Sequence, residues 1–104
     1  MSLREEFDLA MADIYRRARR EIGYNATRYI QMLGEYGGYG TAQRLLESGE
    51  IQYGFTELWQ HGRLDLTVEA LVLNPRYEEL FSEEQRERAR SRLKAHNYDP
   101  DSSR

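Results

Sequence analysis

The 104-residue chain contains no cysteine, which removes disulfides, thiol catalysis and Cys-ligated zinc together. It has no run of about eighteen apolar residues, so no membrane-spanning helix and no membrane partner are expected. The first residues, MSLREEFDLAM, carry charges where a signal peptide needs an apolar core, and a cytoplasmic protein is the expectation. An excess of positive charge is missing too. The 18 acidic and 15 basic side chains leave a net charge of −3, and no global field attracts nucleic acid or anionic lipid.

Several catalytic signatures are equally lacking. The glycine-rich stretch GEYGGYGT, residues 34–41, has neither P-loop spacing nor a strand before it, and reads as a helix stop followed by a helix start. Apart from Thr67, every serine and threonine falls at a cap, a helix end or the tail, and none stands beside a histidine in a nucleophile motif. No enzyme, catalytic residue or cofactor is therefore expected.

What is present is helical periodicity, and the predicted class is all-α. One compact domain over residues 1–96 would hold about five main helices and one short helical turn, followed by a flexible tail, 97–104. Ser2 and Glu5 form a capping box ahead of Phe7, Ala10, Met11, Ile14, Tyr15, Ala18 and Ile22, an amphipathic helix over 3–22 that Gly23 ends. Asn25 is the expected cap of a second helix, 26–36, broken by Gly37, Gly38 and Gly40. Thr41 would cap a third, stopped at Gly49. Residues 50–54 look irregular, FTELWQH makes a short helix to Gly62, and Pro75 opens a single turn, PRYEEL. Ser82 and Gln85 form a second capping box for a charged helix, 83–96.

The stretch GRLDLTVEALVL, residues 62–73, sets an aspartate, a threonine and a glutamate inside an apolar run. With Asp65 as N-cap, a helix over 66–73 has no polar face, which predicts a buried central element that the other helices wrap. Glu69 is then costly to bury alone and implies an arginine partner, with Arg63, Arg44 and Arg28 as candidates. Trp59 shares a helix face with Phe55 and Leu58 and is assigned to the core.

Glu57, His61 and Asp65 stand at metal-ligand spacing along a helix, but Gly62 interrupts it and Asp65 is already explained as a cap, so no metal is expected. His96 suits the C-terminal end of the last helix. Arg16 and Arg20 on the first helix, and Arg86, Arg90 and Lys94 on the last, form basic ridges diluted by acids, with pairs expected at Asp13–Arg17, Glu84–Arg88 and Glu83–Arg86. Among the eight tyrosines, Tyr39 and Tyr53 lie in loops or at helix ends, where a ring either lids the core or meets a partner.

The segments GYNATRYIQML at 23–33, GGYGTAQRLL at 37–46, GFTELWQHGRLDLTVEALVL at 54–73 and LFSEEQRERARSRL at 80–93 together resemble a small helical domain found among uncharacterised bacterial proteins. That resemblance spans most of the chain and implies an all-helical fold without implying any activity. The expected function is a non-catalytic protein-interaction or accessory module whose contact surface draws on Arg16, Arg20, Arg86, Arg90, Lys94, Tyr39 and Tyr53. The competing reading is a nucleic-acid-binding accessory domain that uses the two arginine ridges, with weak affinity.

Overall fold

A computed structural model describes residues 1–48 and 53–100. Among the described residues five α-helices run in the order α1 (Leu3–Ile22), α2 (Thr27–Glu47), α3 (Tyr53–Gln60), α4 (Val68–Val72) and α5 (Glu83–Lys94), with 3₁₀ turns at Leu64–Leu66 and Pro75–Leu80. No strand occurs among the described residues. The expected stop at Gly49 and most of the irregular stretch 50–54 lie outside them. The Cα radius of gyration, 12.6 Å, is that of a compact globule, for which about 13 Å is usual at 100 residues.

Local signals account for the helix ends. Ser2 and Glu5 make the capping box that starts α1, Gly23 closes α1 at φ 69°, and Ser82 and Gln85 make the box that starts α5. Asn74 accepts from the Arg76 amide and Pro75 takes the first position of its turn. After α5, Asn97 adopts φ 61° and the Tyr98 amide donates to Leu93 O. Tyr98 thereby returns to the core, and Pro100 is buried. Residues 101–104 of the expected tail are outside the described residues.

The core gathers the apolar faces of α1, α2, α4 and α5. Within it Phe7 is fully buried and meets Tyr77 at 5.2 Å and Phe81 at 5.1 Å, both edge to face.

Three caps differ from expectation. Asn25 does not cap α2: its Oδ1 accepts from the Tyr15 hydroxyl at 2.6 Å, and Ala26 occupies the cap position without a side-chain bond. Thr41 is no cap either, because it is fully buried inside α2. The break lies at Gly37 (φ 76°, ψ 173°), a conformation open to glycine, and α2 resumes at once. The resumed segment is capped from across the interface, where the Tyr39 amide donates to Asp8 Oδ1 of α1 at 2.8 Å.

The third correction concerns Asp65. The predicted helix over 66–73 is split into the 3₁₀ turn Leu64–Leu66 and the five-residue α4, and Thr67 is the N-cap of α4. Its hydroxyl accepts from the Ala70 amide at 3.1 Å and donates to Leu64 O at 2.7 Å, joining the two pieces. Threonine wins because an extended residue between the pieces needs both bonds and its hydroxyl supplies them while buried. Asp65 instead takes a two-pronged contact from Arg63, Nε to Oδ1 at 3.0 Å and Nη2 to Oδ2 at 3.1 Å. Thr67→Ala is accordingly expected to cost about 1 to 2 kcal/mol, whereas the exposed Asp65→Ala should cost less than about 1 kcal/mol. Urea unfolding of the two variants decides the order; equal or reversed costs would return the cap to Asp65.

Candidate functional site

Glu69 is buried as expected, but none of the three candidate arginines meets it. The partner is Arg92 of α5, whose Nη1 reaches Glu69 Oε2 at 3.1 Å and Leu45 O at 2.9 Å. Its Nη2 donates to Leu46 O at 3.3 Å and also to Ser48 O. One guanidinium thus neutralises the acid of α4 and closes the C-terminal end of α2. Arg63 is turned outward to Glu21 at 2.7 Å, and Arg44 stacks on the Tyr36 ring at 3.8 Å. Burial pushes the Glu69 carboxyl above the usual carboxylate range against the opposing pull of Arg92.

The basic ridges fare unequally. On α5, Arg86 pairs with Glu78 at 3.4 Å and with Glu83 at 3.8 Å, and Arg90 pairs with Glu87 at 2.7 Å. Their side chains are only 13% and 19% exposed, so little of that ridge meets water, while Lys94 is exposed. Arg88 meets Glu84 at 3.6 Å, as the spacing predicts. On α1, Arg16 and Arg20 are exposed, and Arg17 reaches forward to Glu21 at 2.9 Å rather than back to Asp13. Bonds from Arg17 and Arg63 hold the Glu21 carboxyl down at about 2.

The tyrosines nominated for a contact surface divide as well. Tyr39 is half-buried: its hydroxyl donates to Leu80 O at 3.0 Å and its ring lies 5.5 Å from Phe81 with Arg4 stacked on it, which makes it a lid over the core edge. The Tyr53 side chain is outside the described residues.

Of the spacing read for metal ligands, His61 faces Glu57 at 3.7 Å while Asp65 is held by Arg63. Among the described residues no group of three such side chains converges, and no helix is long and apolar enough to cross a membrane.

The assignment of Trp59 to the core is overturned, since its side chain is 45% exposed. Phe55 and Leu58 take the buried positions of α3, and Trp59, one residue step of about 100° beyond Leu58, falls at the rim. There it meets His96, with ring centroids 5.0 Å apart at 79°, and His96 in turn meets Phe55 at 4.9 Å and 68°. His96 Nδ1 lies 2.9 Å from Arg92 O, which orients the imidazole between the two rings. Helix periodicity in α3 alone had no means of revealing this corner, because the His96 ring arrives from beyond the end of α5. Comparison with family models, with curated proteins and with solved structures returned no match.

Proposed function

We propose that the chain is a non-catalytic helical module that binds another protein, with α4 as the element about which the other helices are arranged and the Trp59 corner as the contact. One observation carries this reading. Trp59 is nearly half in water yet held edge-on by His96. A large aromatic surface fixed in this way loses little side-chain entropy on association, and tryptophan is enriched among residues that dominate binding energy. The ion pairs on Arg86 and Arg90 favour a protein partner over nucleic acid, because phosphate contacts there would have to displace carboxylates already in place.

The test uses the full chain as bait against extract of the native host, followed by titration of the purified partner. Trp59→Ala is expected to weaken a stoichiometric complex by about 2 kcal/mol, roughly thirtyfold, with the unfolding midpoint little changed. Retention by Trp59→Ala, with loss on reversing Arg16 and Arg20 instead, would move the contact to α1. Sub-micromolar binding to DNA or RNA at about 150 mM salt would reverse the reading, since non-specific attraction gives roughly 1 to 100 µM there.

A further inference from the structure

A cavity of about 370 Å³ opens between α1, the α1–α2 turn, the start of α2 and α3, with the Leu66–Glu69 segment behind it. At about 30 Å³ per molecule of liquid water it has room for roughly a dozen waters, the lower end of the range for small-molecule sites. Ile14, Ala18, Leu58, Leu66 and Val68 make the walls apolar.

Most polar groups in the lining are already engaged. Tyr29 donates its hydroxyl to Met11 O at 2.7 Å, Tyr15 donates to Asn25, and Thr67 serves Leu64 and Ala70. Of the charged side chains named in the lining there are two, Arg28 and Glu69. Arg92 occupies Glu69, so a cationic ligand finds no free acid there. Arg28 differs: it is exposed at the cavity mouth and makes no ion pair or hydrogen bond among the described residues. An apolar chamber with one uncommitted guanidinium at its entrance has a definite complement.

We infer that this cavity binds a small amphiphilic carboxylate, its apolar body between α1 and α3 and its carboxylate on Arg28. The guanidinium offers paired N–H donors to both carboxylate oxygens. The first-turn residues of α2, Thr27 to Tyr29, line the same wall as Arg28, and Ala26 at the cap position makes no side-chain bond there. The site shares Phe55 with the Trp59 corner, but Trp59 itself is not among its lining residues.

Decanoate, decanol and decylamine titrated into the full-length labelled protein, followed by heteronuclear NMR, test the assignment. Decanoate is expected to bind saturably at one site, with shifts centred on Ala18, Ala26 and Leu66. It should bind about tenfold tighter than decanol, the worth of one charge-assisted hydrogen bond. Arg28→Gln, a surface change, should bring decanoate to the level of decanol and leave decanol unaltered. Ala26→Leu, which fills the chamber from a lining position that is not fully buried, should abolish binding of both with the circular dichroism spectrum unchanged. Absence of saturable binding, tighter binding of decylamine, or an Arg28→Gln variant that binds decanoate as wild type would each overturn the inference. Since Trp59→Ala should leave decanoate binding intact, failure here is distinguishable from failure of the protein contact.

Discussion

Arg92→Met is expected to destabilise the fold by about 3 to 5 kcal/mol, the penalty for leaving one member of a buried ion pair alone. The guanidinium is matched to four acceptors at once: the Glu69 carboxylate on α4 and the carbonyls of Leu45, Leu46 and Ser48 at the end of α2. Methionine keeps the aliphatic stem and removes every donor, so the loss is polar rather than steric. Arg88 does not compensate, because it reaches only Leu46 O among these groups. The pH dependence separates this account from simple loss of packing. Burial raises the Glu69 carboxyl in the folded chain above its ordinary value of 4.5, and removing Arg92 removes the opposing pull. The folded variant therefore holds a proton that the unfolded chain releases above about 4.5, and its stability falls as pH rises from there through the folded value. Measured by urea unfolding between about pH 4 and 8, the deficit relative to wild type should shrink toward the acid end. A deficit of the same size at every pH would mean that the Glu69 carboxyl loses its proton in the variant as readily as in wild type, being solvated rather than left buried and unpaired.

The same pair shows where sequence reasoning stopped. The apolar run around Glu69 made burial of that acid legible, and with it the need for an arginine. Which arginine remained hidden, because Glu69 and Arg92 are separated by 23 positions and only the packing of α4 on α5 joins them. The two capping boxes, the Gly23 stop and the Pro75 turn were readable because each is completed by residues within one turn of helix. Asp65 misled because aspartate has cap propensity in general, whereas the choice of Thr67 depends on a 3₁₀ turn that has no sequence period of its own. Trp59 misled for a related reason. In an eight-residue helix a small change of rotation carries a side chain across the boundary of the core, and the His96 ring that defines the corner comes from a different element. The glycines at 37 and 38 read from sequence only as a stop, and the second role of Gly38 depends on α1.

Gly38→Ala is expected to destabilise the protein by about 3 kcal/mol, although alanine is the better helix former by about 1 kcal/mol. Gly38 lies in helical backbone just after the Gly37 break and is buried against α1. A Cβ there would stand 2.7 Å from the Cα of Asp8, 2.8 Å from Asp8 Oδ1 and 3.2 Å from the Cβ of Met11. The nearest of these atoms is backbone, so no rotamer change relieves the contact, and α1 must move away from α2. Overpacking of that kind costs about 1 to 3 kcal/mol. The displacement also draws the Asp8 carboxylate off the Tyr39 amide, a cap worth about 1 kcal/mol. Position 37 supplies the contrast: a Cβ there meets open space, and only the positive φ opposes it. Gly37→Asn should therefore cost about 1 to 3 kcal/mol from backbone strain alone, because φ 76° with ψ 173° lies outside the left-handed helical region that asparagine tolerates. An Asp8→Ala background separates the two parts of the Gly38 effect. It removes the carboxylate but keeps the Cα, so Gly38→Ala should still destabilise it, by about 1 kcal/mol less than in the wild-type chain. If the cost vanishes in that background, the contact was with the side chain alone and α1 and α2 are not held in backbone approach at this point.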